Sequence, residues 1–196
     1  GNVMIDTLRT HLERALEAAP LAALGLDPGS YAVLTLHRPS NVDDPRRLLR
    51  LFEVLESIHE QIPVVFPVHP RTRAAIQTQL EGRTPKLAIV EPLGYLEFLG
   101  LTARAKVVLT DSGGIQEETT ALGVPCLTLR SSTERPVTVD EGTNVLVGSE
   151  PDAIRAALQR VLDGSARRGR VPALWDGNAA GRIAEILERE LATAPG

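Results

Sequence analysis

The stretch Asp111-Ser112-Gly113-Gly114-Ile115-Gln116-Glu117-Glu118 carries the most pointed local chemistry in the sequence. Glycines behind an apolar run let an anion approach the backbone. A helix starting at that point adds unpaired N–H groups and the positive end of its dipole. Ser112 can donate to a phosphate oxygen or cap the helix. Glu118, one helical turn beyond Gly114, can accept from a ribose diol. The same residues also fit an ordinary turn with Ser or Asp as N-cap. The lysine of a Walker loop and the third glycine of a dinucleotide fingerprint are missing. His37 and Arg38 follow another apolar run and precede Pro39. There the imidazole suits general acid or base work and the guanidinium suits a phosphate, unless the histidine only bonds loop backbone. His69, between Val68 and Pro70, occupies an equivalent position. In Thr133-Glu134-Arg135-Pro136, Arg135 can grip a phosphate with two parallel bonds or close its own loop as an ion pair. Phe98, one of three phenylalanines, can wall a base pocket or simply fill core. His11 and His59 fall on helix surfaces and carry no expected role.

Positioning such groups requires a scaffold, and the hydrophobic pattern describes one. Ile5, Leu8, Leu12, Leu16 and Ala19 recur at helical spacing, and Pro20 with the 25–29 stretch ends that helix. Short apolar runs predict strands at 31–36, 63–68, 87–90, 106–110, within 123–129, and at 144–147. Helical spacing predicts helices through 48–58, 72–80, 95–104 and 115–122, then 152–162 and 179–191. A further helical turn is expected after Arg135. Strands alternating with amphipathic helices imply crossover units. The fold class is therefore α/β, a Rossmann-like doubly wound parallel sheet of about six strands with helices on both faces. We divide the chain into an N-terminal hinge helix (1–24), the Rossmann-like domain (25–175) and a C-terminal helix (176–196). Parallel strands place their carboxyl ends on one rim. His37-Arg38, His69-Pro70, Glu91-Pro92, Asp111 to Gly114 and Arg130 to Arg135 converge there, where open α/β sheets bind ligands. Opposite-rim loops such as Gln61-Ile62 and Gly82-Arg83 show no such concentration.

Composition narrows the function classes. A net charge of −4, from 21 basic and 25 acidic residues, argues against nucleic acid as a partner, since that binding needs a basic surface. Local clustering of Arg on a mildly acidic chain suits a small anionic ligand instead. Aromatic residues make up only 3%, so the core must rest on Leu, Val, Ile and Ala. Cys126 lies alone in an apolar run and reads as a buried thiol, compatible with a reducing, cytoplasmic setting. The first twenty residues mix Asp6, Arg9, Glu13 and Arg14 with apolar positions, unlike a secretory leader. No apolar run approaches the ~20 residues of a membrane span.

Taken in order, the motifs resemble those of the non-hydrolysing UDP-N-acetylglucosamine 2-epimerases. The matching stretches are 34–38 (LTLHR), 67–70 (PVHP), 109–118 (LTDSGGIQEE), 133–136 (TERP), 140–143 (DEGT), 147–148 (VG) and 176–179 (DGNA). The opening 1–6 (GNVMID) resembles the point where that family's chain leaves its first domain. The resemblance implies two Rossmann-like domains of glycosyltransferase B type with the active site between them, this chain supplying the second. It implies that Ser112, Gly113 and Gly114 hold the diphosphate, Glu118 the ribose hydroxyls and Arg135 the UDP moiety, with Phe98 beside the uracil. His37 is carried over as an active-site histidine. Arg38 and His69 match positions near substrate, or near a second, activating UDP-GlcNAc. Pro39-Ser40 and Leu174-Trp175 depart from the Arg-Glu and Tyr-Gly common in the family.

The implied reaction converts UDP-GlcNAc to UDP-ManNAc by anti elimination of UDP and re-addition, with no metal or other cofactor. Stabilising the departing UDP and moving the C2 proton are separate tasks. The resemblance assigns the C2 carboxylates to the missing N-terminal domain, so this chain alone is expected to be inactive. It also allows a homodimer for the complete protein. A hydrolysing epimerase, a UDP-sugar glycosyltransferase half and a non-catalytic UDP-sugar-binding module share parts of the same pattern.

Overall fold

The computed structural model describes residues 1–79 and 85–193. The expected loop at Gly82-Arg83 and the predicted helix end at Leu80 lie outside the described residues. The strands are β1 (Ala32–Thr35), β2 (Val64–Pro67), β3 (Ala88–Val90), β4 (Val107–Thr110), β5 (Cys126–Thr128) and β6 (Asn144–Leu146). They form one sheet in the order β3-β2-β1-β4-β5-β6, and every pairing is parallel. The α/β class and the parallel sheet expected from the alternating pattern are both present.

Alternation along the strands sorts side chains onto two faces. Ala32, Leu34, Val64, Phe66, Val107, Leu109 and Leu127 pack on one side with α4 (Pro45–His59), α5 (Pro70–Gln79) and α9 (Pro151–Leu162). Val33, Val65 and Val108 face the other side, where α2 (Leu21–Leu24), α6 (Tyr95–Ala103) and α7 (Gly113–Leu122) lie. Both faces are covered, which explains strands that are apolar at nearly every position. Each fully buried Leu or Phe adds about 1.5–3 kcal/mol of transfer free energy.

The first helix, α1 (Val3–Ala18), packs on α6 through Leu8, Ala15 and Leu99. The crossing is close because Gly100 has no side chain. A Cβ there would lie 1.9 Å from the Ala15 carbonyl oxygen. At the other end of the chain, α10 (Ala179–Thr193) is tied to α1 by Asp6. Its carboxylate accepts from the Ala179 and Ala180 N–H groups at 3.0 and 2.7 Å, serving as an N-terminal cap supplied from across the fold. Beyond that tie, α10 leaves Ile183, Ile186, Leu187 and Leu191 exposed.

Two short helices were not expected from periodicity: α2 after Pro20, and α3 (Pro39–Val42), which begins at a proline. Pro is tolerated in a first helical turn because its missing N–H would be unpaired there anyway. The predicted turn after Arg135 is α8 (Pro136–Asp140). Leu174, in the stretch that departs from the family pattern, has a positive φ of 64°. The neighbouring Trp175 is buried.

Candidate functional site

The sheet reverses its direction of growth between β1 and β4, the point where open α/β sheets form a crevice at the strands' carboxyl ends. The two strands run in register to their last residues, Thr35 opposite Thr110, and those hydroxyls share a hydrogen bond of 2.6 Å. Register therefore decides what meets beyond the ends. His37 Nδ1 lies 2.8 Å from Asp111 Oδ1. The fully buried Asp111 carboxylate also accepts from the backbone N–H of His37 (3.1 Å) and Arg38 (2.9 Å) and from Asn41 Nδ2 (3.1 Å). Burial pushes the Asp111 pKa up. The bonds from His37, Arg38 and Asn41 outweigh it, and the net value falls below that of an ordinary carboxyl. His37 moves the other way: its bond to Asp111 raises its pKa against the effect of partial burial. With Nδ1 donating to Asp111, the network assigns Nε2 as the nitrogen free to exchange a proton.

This geometry revises the role of Asp111. Grouped with Ser112, Gly113 and Gly114 as one anion cradle in the sequence, its carboxylate is instead spent on the β1–α3 loop. Asn41, not among the residues singled out in the sequence, is fully buried and bridges Asp111 to the Leu129 carbonyl (3.1 Å).

The remaining three cradle residues open α7. Ser112 is its N-cap, in extended conformation, and its hydroxyl makes no capping bond. Its own N–H donates to Thr110 Oγ1 at 2.9 Å. The first-turn N–H groups of a helix have no partner within it, so those of Gly113 and Gly114 face outward with the dipole. A Cβ on Gly114 would approach Met4 Cε to 3.0 Å, placing the start of α1 beside the cradle. Deeper along α7, Glu118 is only 6% exposed. Burial and the neighbouring Glu117 charge push its pKa up to about 7, opposed by a hydrogen bond from Tyr95. Phe98 is half-buried against the apolar cluster of the same face.

The 130–136 segment folds over α7 on a polar network absent from the sequence reading. Gln116, fully buried, accepts from Thr133 Oγ1 (2.6 Å) and Asn144 Nδ2 (3.0 Å) and donates to the Ser112 carbonyl (3.0 Å). Asn144 in turn accepts from Thr128 Oγ1 at 2.6 Å. Arg135 takes the ion-pair alternative: its Nε lies 3.0 Å from Glu117 Oε1, an oxygen that also accepts from Asn2 Nδ2 at 2.9 Å. Arg130 binds both oxygens of Glu134 (2.7 and 2.9 Å). Arg38 reaches the same carboxylate at 3.6 Å.

His37, Arg38, Ser112, Gly113, Gly114 and Arg135 thus belong to one connected rim. Glu118 and Phe98 lie on its α6–α7 side. His69 stands one strand further out, at the end of β2. There its carbonyl accepts from Arg73 N–H at 2.9 Å, and the Arg73 guanidinium pairs with Glu91 at 2.9 Å. A cavity of about 480 Å³ lies at the opposite rim, lined by Gly29, Lys106, Gly123, Thr143 and Arg168 among others. Helix carboxyl ends gather there, and Arg167 donates to the Val139 and Asp140 carbonyls at the end of α8. Arg167 therefore has a structural duty at the end of α8. Among the described residues, no group of three or more His, Cys, Asp or Glu could hold a metal ion, and no helix is long and apolar enough to cross a membrane.

The family UDP-N-acetylglucosamine 2-epimerase matches residues 1–188. A curated UDP-N-acetylglucosamine 2-epimerase of Methanocaldococcus jannaschii is 38% identical over 95% of this chain and 53% of its own length. A UDP-2,3-diacetamido-2,3-dideoxy-D-glucuronate 2-epimerase of Pseudomonas aeruginosa is 39% identical over 96% of this chain and 52% of its own. The chain thus spans about half the length of the curated relatives it matches. A crystal structure of the M. jannaschii UDP-GlcNAc 2-epimerase in complex with UDP-GlcNAc and UDP superposes with a TM-score of 0.83 at 37% identity. It covers 96% of this chain and 54% of that one. Sequence and fold agree, and the chain belongs to the UDP-N-acetylglucosamine 2-epimerase family.

Proposed function

We propose that this chain is the UDP-binding half of an epimerase that interconverts UDP-GlcNAc and UDP-ManNAc. The observation that carries this reading is the His37–Asp111 pair (2.8 Å) at the switch point, beside a helix N-terminus whose cap hydroxyl is uncommitted. A group that exchanges protons stands next to one that receives an anion. That is what departure and return of a phosphorylated leaving group require.

In the proposed cycle, a base removes the C2 proton, the C1–O bond breaks, and UDP leaves with the bonding electrons to give a 2-acetamidoglucal. Protonation at C2 from the opposite face and re-addition of UDP at C1 complete the inversion. The N–H groups of Gly113 and Gly114, the Ser112 hydroxyl and Arg135 receive the diphosphate, and His37 Nε2 donates to its developing charge. Glu118 accepts from the ribose hydroxyls and Phe98 lines the uracil. Arg38 and His69 serve the sugar side or a second UDP-GlcNAc. The base and acid for C2 come from a first Rossmann-like domain, so the isolated chain binds UDP without turning substrate over. The exposed Ile183, Ile186, Leu187 and Leu191 stripe of α10 suits contact with that half. In this reading α1 serves as the hinge between the halves. The complete protein works in the cytoplasm as a homodimer.

Two measurements test the proposal. Calorimetric titration of the chain with UDP should give weak binding that Ser112→Asp weakens at least about tenfold, roughly 1.4 kcal/mol. Unchanged binding in that variant refutes the site. Adding a first domain should restore epimerisation of UDP-GlcNAc, with UDP-ManNAc as product. Release of free ManNAc and UDP would assign a hydrolysing enzyme instead.

A further inference from the structure

Arg130 is a third guanidinium on this rim, beside Arg38 and Arg135, and no role in ligand binding has been assigned to it above. Its side chain is 12% exposed, and it holds Glu134 through two parallel bonds of 2.7 and 2.9 Å. That fork fits a phosphate as well as a carboxylate. Glu134 itself is more than half exposed, with Arg38 at 3.6 Å. Its Oε2 lies 4.0 Å from the position a Cβ on Gly113 would take. The carboxylate therefore stands at the start of α7, between the helix N-terminus and two guanidinium groups. Three positively polarised groups surround one anion, and the protein supplies that anion itself. Its bonds to Arg130 hold the Glu134 pKa down at about 2, so the group is ionised at any ordinary pH.

We infer that Glu134 occupies the place of a phosphoryl group, and that Arg130 passes from Glu134 to the diphosphate when nucleotide binds. The inference rests on the diphosphate site proposed above. Two anions cannot share one guanidinium fork and one helix end without strong like-charge repulsion. Glu134 is exposed, so a side-chain rotation is enough to release it, whereas Arg130 is fixed at the end of β5. Glu134 thus competes with ligand phosphate, and Arg130 is a phosphate-binding residue masked by that competitor.

Calorimetric titration of the 196-residue chain with inorganic pyrophosphate and with UDP tests this. Glu134→Gln, which keeps the side chain's size, should tighten both ligands by about 3–10-fold. Arg130→Ala should weaken both by about tenfold or more. The gain from Glu134→Gln should vanish in the double variant. In the parent chain, the Arg130 Nε–H NMR signal should shift when pyrophosphate is added. Thermal melting establishes that each variant is folded. If Glu134→Gln, folded, leaves pyrophosphate binding unchanged or weaker, the inference is overturned and Glu134 merely props Arg130. If it affects only UDP-GlcNAc, Glu134 serves the sugar and the inference also fails. Absence of any UDP binding by the parent chain, or indifference of UDP to Ser112→Asp, refutes the underlying diphosphate site instead.

Discussion

Replacing Asp111 with Asn isolates the central pair with the smallest change of shape. The carboxylate receives backbone donors from His37 and Arg38, the Asn41 amide at 3.1 Å and His37 Nδ1 at 2.8 Å. An amide offers one oxygen and one NH2 group, so at least one buried donor would face another donor. An unsatisfied buried group costs about 1–3 kcal/mol, and the lost charge-assisted bond adds about as much. We therefore expect Asp111→Asn to lose roughly 3–4 kcal/mol, a large share of the ~5–15 kcal/mol typical of a domain. The pH dependence has a definite sign. Asp111 titrates below its ordinary 3.8, so its contribution is present above that value and lost as pH falls through the lowered one. His37 titrates above 6.5, so its contribution is complete below 6.5 and lost as pH rises through the raised value. The pair stabilises most between these limits. Urea unfolding followed by fluorescence of Trp175, the single tryptophan, measures both effects at about pH 5.5 and about pH 8.5. The parent should lose more stability between the two than the variant, which keeps only the step that the Glu118 carboxyl, with its pKa of about 7, contributes to both. Curves that run parallel in pH and differ by less than ~0.5 kcal/mol would refute the coupling.

Gly100→Ala places a methyl 1.9 Å from the Ala15 carbonyl oxygen. It should cost about 3 kcal/mol and lower the melting temperature by roughly 6–12 °C; an unchanged melt would mean that α1 can lift from α6 freely. Glu118→Gln removes a buried carboxyl whose pKa stands at about 7 rather than 4.5. The folded parent binds that proton more tightly than the unfolded chain, so its stability falls as pH rises from about 4.5 to about 7. Above pH 7 the variant should be more stable, by on the order of 3 kcal/mol at most, while binding UDP more weakly. Equal stability across that range would discount the burial effect. Asp6→Ala deletes the acceptor for the Ala179 and Ala180 N–H groups. It should cost about 1 kcal/mol and speed amide exchange throughout α10; unchanged exchange would show that other contacts hold the helix.

Much of the scaffold is legible in the sequence because apolar strands and helical periodicity are short-range signals. The six strands, the long helices and the shared rim all follow from them. What stays hidden depends on neighbours remote in the chain. Nothing local in Asp111 reveals that it faces His37, since that requires β4 to lie beside β1. Knowing the strand order would have sufficed, because both residues stand just past paired strand ends. Asn41 is invisible for the same reason. Gln116 and Asn144 show in the sequence only as polar residues within a helix and a strand, because their hydrogen bond to each other spans 28 positions of the chain. The two possibilities for Arg135, clamp or ion pair, were open in the sequence. The structure pairs Arg135 with Glu117, and the clamp belongs to the proposed function. Short α2 and α3 have too few residues for any periodicity to register.

The parallel ladder between β1 and β4 also sets which genetic lesions the protein can survive. Because Thr35 faces Thr110, the distance from His37 to Asp111 is measured by hydrogen-bond rungs rather than by a loop. Deleting or inserting one residue within either strand shifts the ladder and turns every following side chain to the other face. Both cores would be scrambled at once and the imidazole parted from its carboxylate. The same lesion in the connection between α9 and α10, at exposed positions such as Leu174, would leave the ladder intact. Length variation among descendants of this sequence should therefore collect in such connections and spare the two strands that flank the switch point.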